Sequence, residues 1–240
     1  MAQKQRVDQQ PGFILHTHPY RETSLIVEAF SRDHGRIGLV AKGARRPMSA
    51  LRGVLLAYQP LLIDWSGGGE VKTLVRAEWR GGQPMLTGKA LMCGYYLNEL
   101  LMRFLAREDP HPELYECYAQ VIAALPGGSP FEPLLRRFEL TLLEQMGYGV
   151  PLTERADNTE AVEADVNYRY IIERGPVVDN DDEIGAPQVM GQTLIDMAEG
   201  RFESVNTLLQ SKQLLRHLIS HHLGGQPLQS RRMFKELQSL

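Results

Sequence analysis

IGLVAKGARRPMSALRGVLLAYQPLL (residues 37–62) carries two kinds of pattern in one stretch. Ile37, Leu39 and Ala41 alternate with their neighbours, as in a strand with one buried face. The chain then breaks at Gly43 into a loop holding Lys42, Arg45, Arg46 and Arg52 with no acidic residue among them. Apolar residues resume at Leu51, Val54, Leu55, Leu56 and Tyr58. Four cations within eleven residues, anchored on both sides by apolar segments, suit a polyanion better than a catalytic pocket. A solvated surface loop is the competing reading, and composition alone leaves both open.

Strand patterns surround this stretch. Phe13–Thr17 is a short apolar run that is expected to stop at Pro19, and Ser24–Phe30 (SLIVEAF) is rich in β-formers. Asp33, His34 and Gly35 make a turn, so the second and third strands form a hairpin. Leu61–Trp65 is followed by the glycine turn Ser66–Gly69 and by Val71–Ala77, where Val71, Thr73 and Val75 alternate with Lys72, Leu74 and Arg76. Five short strands in roughly 80 residues predict a small closed barrel, since closure removes exposed edges. The five-stranded form of that shape is the oligonucleotide/oligosaccharide-binding (OB) barrel, and the basic stretch is the long connection between its third and fourth strands.

From Leu86 the period becomes helical. Leu86–Leu105 is apolar on nearly every side, which predicts a central helix. Glu113–Leu125 places Leu114, Cys117, Tyr118, Val121, Ile122 and Leu125 on one stripe. Ser129 is expected to cap the next helix, with Pro130 at its first position, Glu132 completing a capping box and Gly147 ending it. Its inward residues are expected to be Phe131, Leu134, Leu135, Phe138 and Leu142. Residues 150–187 are acidic and weakly periodic, with Asn167–Ile172 and Val177–Val178 forming a two-stranded finger amid loop. A short helix over Thr193–Met197 follows. A longer one spans Val205–Leu223 with Val205, Leu208, Leu209, Leu215, Leu218 and Ile219 inward, and Ser230–Leu237 forms a last basic turn or two. The fold class is therefore α+β: an OB-type barrel over residues 1–80, then a mainly α-helical domain over 81–240 with a small β finger.

The net charge of −3 conceals a division. Residues 1–80 hold 12 Lys/Arg against 7 Asp/Glu, whereas residues 151–200 hold 3 against 12 and residues 201–240 hold 6 against 2. Positive charge segregated into the first third and the tail is compatible with nucleic-acid binding. No run approaches the roughly 18 apolar residues of a membrane span. The N-terminus, MAQKQRVDQQ, lacks the apolar core of a secretory signal, so a cytoplasmic protein is expected. Cys93 and Cys117 belong to no CxxC pair, so buried thiols are expected, with neither zinc motif nor disulfide framework.

Catalytic patterns are absent from the sequence. Gly67–Gly69 is followed by Glu70, without the Lys-Ser/Thr of a phosphate loop, and neither HExxH nor GxSxG occurs. His217 and His221 are spaced i, i+4, with His222 beside them. A solvent-facing pair near a helix C-terminus is the plainer reading, and a metal-dependent enzyme built on them is the alternative. His16 and His18 share one face of a strand and read as surface residues. Asp179, Asp181, Asp182 and Glu183 are nearly consecutive and read as a solvated loop. By contrast Arg36, Lys42, Arg45, Arg46, Arg52, Lys72 and Arg76 can serve one groove on a barrel, with Tyr20 or Tyr58 stacking bases. Core packing is the competing role for Tyr58, and an OB-type RNA-binding factor remains a further alternative.

The stretches RETSLIVEAF (21–30), GRIGLVAKGARRP (35–47), LRGVLLAYQPLL (51–62), GEVKTLVRAE (69–78), YYLNELLMRFL (95–105) and LRRFELTLLEQMGYG (135–149) resemble the bacterial recombination mediator family RecO, with weaker similarity through GGQPLQSRRMF (224–234). The resemblance implies an OB barrel followed by a helical domain. It implies binding of single- and double-stranded DNA without sequence choice and annealing of complementary strands. It also implies help, with RecR, in loading RecA onto DNA coated by single-strand-binding protein (SSB), as in the RecF pathway. No cofactor, catalytic residue or nucleotide hydrolysis is implied, and the location is cytoplasmic, at the nucleoid. Arg136 matches a family position linked to the acidic, apolar-tipped tail of SSB, and Arg137, Leu140 and Leu215 are candidates beside it. Some relatives carry a four-cysteine zinc site after the GYG motif. Here VPLTERADNTEAVEADVNYRY (150–170) has no cysteine, so no structural zinc is expected. Arg231, Arg232 and Lys235 make a second candidate surface for DNA.

Overall fold

Strand β1 (Arg6–Tyr20) is long enough to serve two neighbours, and that length closes the barrel. Its first half pairs antiparallel with β4 (Leu61–Ser66) and its second half with β2 (Ser24–Ser31). Strand β2 continues through a tight turn into β3 (Gly35–Ala41), and β4 through the glycine turn into β5 (Val71–Trp79). A short parallel pairing of Gly38–Val40 with Val71–Thr73 completes the order β1-β2-β3-β5-β4, the five-stranded OB barrel expected above. The computed structural model describes residues 6–128, 130–179 and 185–238.

Ile14, Val27, Ala29, Ile37, Leu39, Ala41, Ile63, Trp65 and Leu74 fill the barrel, and Leu51 and Val54 of the short helix α1 (Leu51–Val54) pack against them. Full burial of each large side chain contributes about 1.5–3 kcal/mol. One expectation is corrected here. β1 does not stop at Pro19: it runs on to Tyr20, with Pro19 opposite Leu25, and Pro11 lies inside it opposite Leu62. Proline is tolerated where its missing N–H is not needed by the ladder. In β5 Val71 and Val75 are exposed while Lys72 and Leu74 are covered, and the register breaks at Val75, opposite Asp64 and Trp65.

The described chain divides into two compact units. The first joins the barrel to α2 (Gly88–Phe104), α3 (Pro112–Ala124) and, from residue 228 onward, α7 (Gln229–Gln238). Asn98 of α2 donates to the Leu15 carbonyl at 2.9 Å and accepts from the Tyr118 hydroxyl at 2.7 Å, so a buried polar pair ties both helices to β1. Phe13 and Phe30 meet Tyr115 and Tyr118 of α3 in tilted and edge-to-face contacts. Between the helices the chain runs beside β3, where the Glu108 N–H donates to the Arg36 carbonyl at 2.9 Å. A Cβ on Gly35 would lie 1.9 Å from the Asp109 carbonyl oxygen, which is why that position has none. The N-terminus of α7 is held by Glu99 of α2, whose carboxylate accepts from the N–H groups of Gln229 and Ser230 and from the Ser230 hydroxyl at 2.6–2.8 Å.

The second unit, residues 130–227, contains α4 (Phe131–Gln145), β6 (Asn167–Ile171), β7 (Gly175–Val178), β8 (Gln188–Met190), α5 (Gly191–Ala198) and α6 (Val205–His222). The expected two-stranded finger is a three-stranded sheet in the order β7-β6-β8, because residues 188–190 return to pair with β6. Pro130 is the residue before α4 rather than its first, with extended backbone, and Ser129 lies outside the described residues. The buried face of α4 is Arg136, Phe138, Glu139, Leu140, Leu142 and Leu143, whereas Phe131, Leu134 and Leu135 are only half-buried. In α6 the inward residues are Thr207, Ser211, Leu214, Leu215, Leu218 and Ile219, and Val205 and Leu209 face solvent. The cysteine-free segment that follows α4 is closed by Arg155, whose guanidinium grips Asp157 at 2.7 Å and Glu160 at 3.1 Å, while the Val162 N–H reaches the Thr153 carbonyl.

Candidate nucleic-acid interface

The basic loop leaves β3 at Ala41 and is pinned by a single small residue. Ala44 is buried in the barrel core, while Lys42 on one side and Arg45 and Arg46 on the other are exposed. Burial of the alanine methyl turns its charged neighbours outward. The Arg46 N–H returns to the Gly43 carbonyl at 3.1 Å and the Ser49 N–H to the Arg46 carbonyl at 3.0 Å, so the loop is two successive turns leading into α1, where Arg52 is also exposed. Gly43 has φ +68°, a conformation that suits glycine.

Arg45 also joins this loop to the turn between β1 and β2. Its backbone N–H donates to the Thr23 carbonyl at 2.8 Å and its guanidinium to the Arg21 carbonyl at 3.3 Å. The exposed Arg21 is thereby brought beside Lys42 and Arg45, a cation that sequence reading passed over. The signal for it was available: it sits in the first hairpin turn, one of the loops that OB barrels use for ligands. Among the described residues no carboxylate pairs with Arg21, Lys42, Arg45, Arg46 or Arg52.

The other three expected cations stand elsewhere. Lys72 is nearly buried and its Nζ donates to Glu108 at 2.6 Å. Arg36 donates to the Met102 carbonyl at 2.5 Å and lies 3.8 Å from the buried Glu28 carboxylate, which also pairs with Arg107. Lys72 thus ties the α2–α3 connection to the barrel, and Arg36 ties the end of α2 to it. Arg76 is exposed but paired with Glu78 on its own strand. Of the seven, the fold gathers Lys42, Arg45, Arg46 and Arg52 and sends Arg36, Lys72 and Arg76 to other tasks. Tyr58 is a core residue, and burial pushes its hydroxyl pKa far above the ordinary value. Tyr20 is partly exposed, with the Arg21 guanidinium 5.2 Å from its ring centre.

In the second unit, Arg136 is buried and its guanidinium donates to Glu139 at 2.8 Å, one helical turn on. Leu140 and Leu215 are buried too, so of the four residues expected to meet an acidic tail only Arg137 is exposed. His217, Ser220, His221, Gly224 and Gly225 line a cavity of about 440 Å³ at the end of α6. Burial, and His221 beside them, lower the pKa values of His217 and His222, and the His222 ring stacks on Tyr148 at 3.8 Å. Among the described residues no three His, Cys, Asp or Glu side chains are grouped to hold a metal. Cys93 is buried and Cys117 partly so. Asp179 accepts from Arg169 at 2.8 Å, while Asp181, Asp182 and Glu183 lie outside the described residues. Arg231 lies over the Tyr96 ring at 5.5 Å, and the Lys235 side chain falls outside the described ones.

Residues 5–82 match the family model described as Recombination protein O N terminal, and residues 85–232 that described as Recombination protein O C terminal. The sequence is similar to the DNA repair protein RecO of Aromatoleum aromaticum, 67% identical over 240 residues and the whole of both chains. It is 62% identical to that of an Azoarcus species over 243 residues, again the whole of both chains. That of Nitrosospira multiformis is 49% identical over 99% of this chain and 98% of its own.

Proposed function

The chain belongs to the RecO family of DNA repair proteins, and on that premise we propose that it binds single- and double-stranded DNA without sequence choice, anneals complementary strands and, with RecR, helps RecA load onto SSB-coated DNA. We assign DNA binding to residues 1–80 and partner binding to residues 81–240, in a protein of the cytoplasm that works at the nucleoid without cofactor or catalysis. Among the described residues no helix is long and apolar enough to cross a membrane.

The observation that carries this reading is the group of exposed cations around the buried Ala44, which no carboxylate among the described residues meets. Phosphates laid against Lys42, Arg45, Arg46 and Arg52 displace condensed counterions, which gives affinity without reading bases. The same charges screen repulsion between two strands held together, and that is the physical requirement for annealing. The SSB tail, acidic with an apolar tip, meets the second unit through Arg137, with Arg136, Leu140 and Leu215 supporting the helix behind it.

Single-stranded DNA binding followed by fluorescence anisotropy across a salt series tests this. The Lys42→Ala/Arg45→Ala/Arg46→Ala triple variant should bind more weakly, with a log–log salt slope shallower by about 2, at roughly 0.7 per lost phosphate contact. An unchanged slope in a folded variant would remove the loop as the DNA site. Competition with RNA of equal length separates the DNA reading from an RNA-binding one.

A further inference from the structure

The register of β1 shifts between Ile14 and His16. Ile14 lies in the barrel core, and beyond the shift Thr17 and Pro19 stand opposite Val27 and Leu25, the residues of β2 that face that core. His16, His18 and Tyr20 therefore share the outer face, opposite Glu28, Ile26 and Ser24. Both imidazoles are exposed, their ring centres 4.2 Å apart and their planes at 66°. Tyr20 continues the row, and the row ends at the turn whose Arg21 and Thr23 carbonyls are held by Arg45. Three outward rings thus lead directly into the cations of the basic loop. Below them the outer face is occupied: Arg107 pairs with Glu28 and lies 3.4 Å from where a Cβ of Gly38 would be. The open part of this face begins at the rings.

We propose that His16, His18 and Tyr20 form a stacking platform for the bases of single-stranded DNA whose phosphates lie on Lys42, Arg45 and Arg46. This rests on the DNA-binding reading above and extends it from the backbone to the bases. Every base presents a π face, so such a platform is indifferent to sequence. Bases already stacked within a duplex are not available to it, so the rings favour single strands while the cations serve both forms. Partial desolvation where the strand meets Glu28, and the neighbouring His18, hold His16 below the ordinary imidazole pKa, with the Glu28 charge pulling the other way. The ring therefore stacks as a neutral imidazole near pH 7.5.

The test compares a labelled oligo-dT 20-mer, an abasic 20-mer with the same phosphates, and a duplex of that length, each across a salt series at pH 7.5. The native protein should prefer oligo-dT to the abasic strand by at least tenfold. In the His16→Ala/His18→Ala/Tyr20→Ala variant that preference should vanish, with duplex affinity and salt slope unchanged. A milder His16→Gln/His18→Gln variant should lose part of it. The proposal is overturned if the native protein shows no preference for bases, or if either variant, folded by circular dichroism, keeps the full preference. Absence of binding to all three probes would instead remove the DNA reading itself, and the platform with it.

Discussion

The Tyr58 ring lies against the bare backbone of Gly94, where a Cβ would meet its Cε1 at 2.8 Å and the Leu86 Cδ1 at 2.9 Å. Tyr58, at φ +66°, ends the segment that carries the basic loop, and Gly94 is in the middle of α2. The contact seats a helix on the far anchor of the candidate interface. Alanine would gain about 1 kcal/mol of helix propensity over glycine but overpack this contact at a cost of about 1–3 kcal/mol. Gly94→Ala is expected to lower the unfolding free energy by about 1 kcal/mol, and Gly94→Val by more, in denaturant titrations. An unchanged or raised midpoint would show that Tyr58 moves aside freely.

Lys42 and Lys72 are expected to respond in opposite ways to substitution. Lys42→Ala removes an exposed charge that no carboxylate meets among the described residues and should leave the unfolding midpoint alone, while making the salt slope of DNA binding shallower by about 0.7. Lys72→Met removes the donor to Glu108 under a nearly closed surface. It should cost about 1 kcal/mol of stability, since Glu108 is half exposed and partly rehydrates, with the salt slope unchanged. A shallower slope for Lys72→Met would place phosphate at Lys72 after all.

On α4 the adjacent arginines separate in the same manner. Arg136→Ala strips the buried Glu139 carboxylate of that ion pair and is expected to destabilise by about 3 kcal/mol. Arg137→Ala is a surface change and should stay within about 0.5 kcal/mol. Binding of a peptide with the sequence of the SSB tail, measured by calorimetry, should weaken with Arg137→Ala. If it weakens only with Arg136→Ala, and that variant is fully folded, Arg136 is not chiefly structural.

Glu99 makes the docking of α7 depend on pH. Burial alone would raise its pKa, but the Ser230 hydroxyl and backbone, the Gln229 N–H and Arg103 outweigh that and hold it below the ordinary 4.5. A carboxylate with a depressed folded pKa contributes stability that is present above its unfolded value and lost as pH falls through the folded one. Backbone amide exchange at Gln229 and Ser230, corrected for intrinsic rates, should be slow at pH 6 and accelerate below pH 4. Glu99→Gln should show the fast behaviour already at pH 6. Equal protection in both proteins at pH 6 would mean that other contacts hold the helix.

The barrel was legible in Ile37–Ala41 and its neighbours because alternation reports one buried face and the turns carry glycine. The basic loop was legible because no acidic residue lies near enough in sequence to pair with it. Lys72 and Arg36 were not, since Glu108 and Met102 reach them from 36 and 66 residues away. The start of α6 misled for another reason: Val205 and Leu209 are apolar yet exposed, while Thr207 and Ser211 turn inward. There the Thr207 hydroxyl is satisfied by Asp196 at 2.7 Å, and a hydroxyl with a partner can be buried at little cost. Arg136 follows the same rule with a charge, its partner three residues along the helix.

Because α7 belongs with the barrel and α2, the first unit is completed by a segment that follows the whole of the second in sequence. A ribosome releases residues in order, at about 5–20 per second. The barrel strands emerge early, and every residue of the second unit is out before the helix that Glu99 holds. The later unit can therefore finish folding first, and the stretch of α2 around Tyr96 and Glu99 stays uncovered until α7 emerges. A message cut before the codons of α7 would yield a protein whose second unit is intact and whose first unit is left unfinished.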